Sequence, residues 1–179
     1  AIVQYPDEVM ALGLMAALSP STNLPWALHV MTMPHDFKHS TVFWEEDELA
    51  ELIPCSTYHL TKLMQNQLQI DWETIHAPIK EAFPQFLSEA TIDTYKWALS
   101  MIYSRAVGFR RKKGREEEYV RCIPPLLDMA NHMPTSTEID ASDTFRFDAS
   151  TSSLQLINVC KKEAGQEVFA IYGTYPNSK

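Results

Sequence analysis

Pro124-Pro125-Leu126-Leu127-Asp128-Met129-Ala130-Asn131-His132 is the stretch from which the rest of the chain is read. Two leucines run straight into an aspartate, an asparagine and a histidine. An apolar segment therefore ends in groups that a plain core does not hold. A second stretch of the same kind follows: Gly165-Gln166-Glu167-Val168-Phe169-Ala170-Ile171-Tyr172-Gly173. It ends in a Tyr-Gly pair. Asp and Asn after a double proline suit a turn, and His132 could be a satisfied core histidine. The same polar cluster would suit a ligand held by amide, backbone and imidazole contacts, and pattern alone leaves both open.

Around these stretches the periodicity is that of short strands. Tyr119-Val120-Arg121-Cys122-Ile123 alternates, as does Thr144-Phe145-Arg146-Phe147-Asp148. Ala149 to Ser153 reads as a turn and Leu154 to Val159 as the returning strand of a hairpin. Val168 to Ile171 reads as a further strand after a turn at Gly165. The charged run Arg110-Arg111-Lys112-Lys113-Gly114-Arg115-Glu116-Glu117-Glu118 reads as a solvated loop.

The first half reads as helices. Asp7 is placed to cap one that runs to about Leu18, with Val9, Met10, Gly13, Leu14, Ala17 and Leu18 on one face. Pro20 ends it. Pro25 opens a short helix with Trp26, Val30 and Met33 facing inward. Glu45 to Glu48 place acids in a first turn, followed by Leu49, Leu52 and Ile53. Ser56 or Thr57 caps a longer helix with Leu60, Leu63, Met64, Gln67 and Leu68 on one side, interrupted at Pro78. The clearest helix runs from Thr91 to about Val107, with Ile92, Tyr95, Leu99, Ile102 and Ala106 along one face. Arg105, in its last turn, is favourable charge at a helix C-terminus or an anion clamp. Helices feeding short strands make an α+β arrangement.

A chain of 179 residues with 45% hydrophobic content can bury a sizeable core. Its formal net charge of -8 argues against direct nucleic-acid binding. No apolar run is long enough to span a bilayer, so no membrane association is expected. Cys55, Cys122 and Cys160 show no paired spacing and read as reduced thiols of an intracellular protein, with cytoplasm, nucleus and plastid all open. His35 and His39 share a helical spacing, yet without a third ligand nearby they read as surface histidines, and no metal is expected. The first residue is not Met and the last are Asn177-Ser178-Lys179, so a fragment of a longer protein is expected.

Asp128-Met129-Ala130-Asn131-His132 resembles the Asn-His motif of SET-domain protein methyltransferases. Glu167-Val168-Phe169-Ala170-Ile171-Tyr172-Gly173 resembles their second motif, a strand that ends in a catalytic tyrosine. The order matches, with a hairpin between the two. The helical first half is similar to the insertion of the Rubisco large-subunit methyltransferase-like subgroup, in the Trp44 to Leu52 segment and the Ser104-Arg105 helix end. The resemblance implies a helical SET insertion over residues 1–107 and the C-terminal part of the SET core over 108–179. The amino-terminal strands, with a Gly-x-Gly cofactor loop, are expected before Ala1, and a helical substrate-binding domain beyond Lys179.

What the resemblance implies for function is an S-adenosyl-L-methionine-dependent protein-lysine N-methyltransferase. Arg105 would meet the cofactor's carboxylate end. Asp128, Met129, Ala130, Asn131 and His132 would line the cofactor, and Tyr172 would be the catalytic phenol. The partner would be a protein substrate offering a lysine or a histidine side chain. The alternatives are a protein-histidine N-methyltransferase of the actin type and a non-catalytic SET-like binding protein. The piece by itself is expected to be inactive.

Overall fold

The computed structural model describes residues 6–19, 23–84, 90–113, 115–133, 144–158 and 161–172. The break at Pro20, the glycines Gly114 and Gly173, the end of the returning strand at Val159, and Cys160 lie outside the described residues. The chain divides into two compact units, residues 1–104 and 105–179.

The first unit is helical. Helix α1 spans Pro6–Leu18 and buries Ala11, Leu14, Met15 and Ala17. Its proline sits in the first turn, where a missing N–H costs nothing; Asp7 is inside the helix as an acid at the positive end of the dipole, not its cap. Val9, expected on the inner face, is exposed. Helix α2 is short, Ala27–Met31. It buries Val30, with Met33 just past its end, but leaves Trp26 half exposed. A 3-10 turn, Thr41–Phe43, and helix α3, Glu46–Ala50, follow.

Helix α4 runs unbroken over Ser56–Ala82 with Pro78 inside it. No residue after Pro78 needed a separate helix: the helix absorbs the lost hydrogen bond near its end. Of the expected face only Leu68 is on the buried side. Thr61, Leu68 and Trp72 are buried, whereas Leu60 and Leu63 are 65% and 68% exposed. The reason is polar. Thr61 shares a hydroxyl hydrogen bond with Thr41 at 2.7 Å, and Gln65 Nε2 donates to the carbonyls of Val42 and Trp44 at 3.1 and 3.0 Å. These bonds seat the Thr61–Gln65–Leu68–Trp72 side on the 3-10 turn and rotate the leucines outward. Among the described residues no helix is long and apolar enough to cross a membrane.

Helix α5 spans Ile92–Arg105. Thr91 and Thr94 start it: the Thr94 N–H donates to Thr91 Oγ1 at 3.2 Å and the Thr91 N–H to Thr94 Oγ1 at 2.9 Å. Tyr95, Trp97, Ala98, Leu99, Met101 and Ile102 are all buried, so the inner side is wider than a single stripe. Trp97 donates its indole N–H to the Pro34 carbonyl at 2.7 Å.

The second unit begins at Arg105 and is built from two antiparallel hairpins. Strand β1, Val107–Lys113, pairs with β2, Glu116–Cys122, so the expected charged loop is a hairpin instead. Runs of like charge hide a strand's alternation, but across the ladder the signs are opposite. Arg110 Nη1 lies 3.1 Å from Glu117 Oε2 and Arg111 Nη2 2.9 Å from Glu118 Oε2. At Gly108 the Tyr119 ring lies across β1, and a methyl there would push that exposed side chain aside. Strand β3, Phe145–Asp148, pairs with β4, Ser153–Leu156, in the register Phe145↔Leu156 to Asp148↔Ser153. The Phe109 and Phe147 rings stack at 5.7 Å, setting β1 beside β3. Phe109, Phe145 and Ala170 form the buried centre, ringed by Val107, Val120, Leu127, Leu154 and Leu156.

Candidate active site

The two opening stretches meet inside the second unit. His132 and Ala170 form a parallel bridge. The Ala170 N–H donates to the Asn131 carbonyl at 2.9 Å, and the Met133 N–H to the Ala170 carbonyl at 3.1 Å. The expected strand Val168 to Ile171 is thus reduced to one bridge among the described residues. Apolar burial fixes its register: Ala170 and Ile171 are 0% and 1% exposed, and Thr144 Oγ1 donates to the Ile171 carbonyl. Tyr172, next along, is 40% exposed and leaves the core.

Three further contacts place Tyr172 against the first stretch. Its hydroxyl donates to the Ala130 carbonyl at 2.5 Å. Its backbone N–H donates to His132 Nδ1 at 3.1 Å. Its ring stacks on the His132 ring at 5.2 Å and 28°. Because Nδ1 accepts, a neutral His132 carries its proton on Nε2. Because the phenol donates to a carbonyl, the lone pairs of its oxygen stay available to another group. Burial holds the Tyr172 phenol above its ordinary value; Arg105 opposes that and Asp128 adds to it.

Asp128 lies in a 3-10 turn, Leu127–Met129, entered through Leu126 with φ 72°. That left-handed backbone is strained for a leucine. The Asp128 side chain is 0% exposed, and its Oδ2 lies 3.1 Å from Arg105 Nη1. Of the two readings of Arg105, the structure shows it as the last residue of α5 with a carboxylate partner supplied by its own chain. Nη1 takes that partner; the guanidinium's other N–H groups remain for a second anion. Met129 is exposed and Ala130 half-buried, with its carbonyl committed to Tyr172. Asn131 is exposed, and its Nδ2 donates to Glu167 Oε1 at 2.6 Å.

Tyr172 is thus tied to Ala130 and His132, Arg105 to Asp128, and Asn131 to Glu167 and Ala170, while Met129 enters through its place in the turn. Glu167 was not singled out by the sequence. Its signal is parity: with His132 opposite Ala170, residues 167 and 169 fall on the same side as Asn131. His35 and His39 contact aromatic rings, Trp97 at 6.5 Å and Phe37 at 4.8 Å. The described residues hold no group of three or more His, Cys, Asp or Glu side chains arranged for a metal ion.

Comparison with known proteins agrees with this fold. No family model matches the chain. It is 29% identical over 157 residues to the chloroplastic [fructose-bisphosphate aldolase]-lysine N-methyltransferase of Arabidopsis thaliana, covering 82% of this chain and 30% of that protein. It is 27% identical over 155 residues to the chloroplastic Rubisco large-subunit N-methyltransferase of Nicotiana tabacum, and 29% over 159 residues to that of Pisum sativum, with the same coverage. The chain thus spans 30% of the length of these relatives. Among solved structures, the SET domain of LSMT bound to methyl-lysine and AdoHcy superposes with a TM-score of 0.71 at 22% identity, over 93% of this chain and 36% of that one. The same domain bound to lysine and AdoHcy gives 0.68 at 22% identity, over 96% and 38%.

Proposed function

We propose that this chain, a SET-domain chain of the group similar to Rubisco large-subunit methyltransferases, carries the catalytic side of a protein-lysine N-methyltransferase. The observation that carries the reading is the meeting of the Asn-His stretch with Tyr172 through the Ala130, Asn131 and His132 contacts. Residues 1–107 are assigned to the helical insertion and 108–179 to the SET core.

The donor set fits S-adenosyl-L-methionine. That molecule ends in a carboxylate and an ammonium. Arg105 has guanidinium N–H groups beyond the one given to Asp128, which suits the carboxylate. The side-chain carbonyl oxygen of Asn131, whose amide nitrogen is taken by Glu167, is an acceptor, which suits the ammonium. When bound, the cofactor supplies a methyl group already activated by a sulfonium. Asp128 holds Arg105 at the end of α5; the turn Leu127–Met129 presents the Ala130 carbonyl; that carbonyl accepts the hydrogen bond of the Tyr172 hydroxyl. With the cofactor bound, the Tyr172 oxygen would offer its lone pairs to the methyl and orient the amine, through C–H···O and hydrogen-bond contacts. Burial raises the phenol further above its ordinary value, so it stays a neutral hydroxyl at physiological pH with room to spare. The relatives named above are chloroplast proteins, which supports the plastid as the compartment.

Tyr172→Phe in the full-length protein tests the reading. Transfer of labelled methyl to protein is expected to fall about 100-fold, with cofactor binding retained. Unchanged transfer would remove Tyr172 from catalysis. Fragment spectra of the labelled product place the methyl on a lysine nitrogen; a methyl found on imidazole would replace lysine by histidine as the target.

A further inference from the structure

We propose that Glu167 is a positioning residue for Asn131. It turns the asparagine amide so that the carbonyl oxygen, and not the amide nitrogen, faces the ammonium of the cofactor. This rests on the methyltransferase reading above.

An asparagine side chain has a donor end and an acceptor end of nearly equal shape, so packing alone cannot choose between them. A carboxylate can only accept. With Glu167 Oε1 at 2.6 Å from Asn131 Nδ2, the nitrogen is the end taken up and Oδ1 is left as the acceptor. An ammonium can only donate, so this is the orientation that binds it.

The backbone fixes the pair in register. The bridge His132↔Ala170 and the two hydrogen bonds on either side of it bring residues thirty-six positions apart into reach. The neighbouring acceptors each already take one hydrogen bond. The Ala130 carbonyl takes the Tyr172 hydroxyl, the Asn131 carbonyl takes the Ala170 N–H, and His132 Nδ1 takes the Tyr172 N–H. Among the described residues, Asn131 Oδ1 is an exposed side-chain acceptor that this stretch offers to a ligand. Both side chains are exposed, so the bond adds little to folding and its effect is read in binding.

The test uses the full-length protein, with S-adenosylmethionine as the probe, and compares Glu167→Gln, Glu167→Ala and Glu167→Lys. Glutamine keeps an acceptor for Asn131 and is expected to hold KM for the cofactor within about twofold of wild type. Alanine is expected to raise KM about fivefold with kcat unchanged. Lysine sets donor against donor and adds repulsion, and is expected to raise KM further, about 20-fold. Melting temperatures are expected to match wild type in all three. Equal KM in wild type and Glu167→Ala would overturn the proposal, as would Glu167→Gln as impaired as Glu167→Ala, or a loss confined to kcat. Wild-type protein that neither binds S-adenosylmethionine nor transfers methyl would instead overturn the methyltransferase reading itself, and the role of Glu167 with it.

Discussion

Helix α5 and the Asn131–Tyr172 site are stabilised in opposite ways. The helix buries Tyr95, Trp97, Ala98, Leu99, Met101 and Ile102, contacts that are non-directional and tolerant of small shifts. The site is held by directional bonds on a small apolar base of Phe109, Phe145 and Ala170. Its polar groups are satisfied by one another: Arg105 by Asp128, Asn131 by Glu167, Tyr172 by Ala130. An apolar helix can lose a methylene and repack, whereas a buried charge that loses its partner has no cheap alternative. Position therefore matters more in the second unit, and volume more in the first.

That contrast can be broken experimentally, beginning with the largest effect. Ile102→Ala removes a fully buried side chain and is expected to cost about 3 kcal/mol in chemical denaturation. Leu63→Ala, on the exposed side of α4, is expected to cost under about 0.5 kcal/mol. Equal losses would mean that the leucine stripe is covered in solution.

Asp128→Ala is expected to cost about 3 kcal/mol, because Arg105 is left part-buried without its carboxylate. Glu117→Ala, which removes an exposed hairpin ion pair, is expected to cost under about 0.5 kcal/mol. Denaturation curves of the two variants compare a buried with a surface ion pair in the same unit. A small loss at Asp128 would show that the turn is held by its backbone.

An effect of opposite sign concerns Tyr95. It is fully buried, and its hydroxyl finds no hydrogen-bond partner among the described residues. Burial, with Asp71 and Glu8 adding, pushes its phenol far above the ordinary value. A raised folded value means that its contribution is fully present below the unfolded value of about 10 and is lost as pH climbs towards the folded value. Tyr95→Phe is expected to add about 1 kcal/mol at neutral pH and to flatten the alkaline limb of the stability curve. A variant less stable than wild type at neutral pH would show that the hydroxyl is paired.

Much of the helical unit was legible because helix contacts are local. The 3.6-residue period marked α1 and α5, and Pro25 marked the region of α2. It misjudged α4, where the apolar stripe Leu60–Leu63–Met64 pointed one way and the hydrogen bonds of Thr61 and Gln65 turned the helix another. Periodicity records hydrophobicity, not the partners of a threonine. The β1–β2 hairpin was missed for a related reason: its charges make sense only in pairs across the ladder, and a single strand does not show its neighbour.

By itself the sequence determined the α+β class, the helices with a strong apolar period, the β3–β4 hairpin, and the two stretches that end in Asp128-Asn131-His132 and Tyr172. These follow from local spacing and from residue types that a core does not keep without cause. Only the tertiary structure decided which atoms those residues turn to each other. Arg105 reaches across to Asp128, Glu167 takes the amide of Asn131, and the Tyr172 hydroxyl closes on Ala130. Each of these contacts joins residues more than twenty positions apart, and hydrogen-bond geometry at that range is set by chain packing.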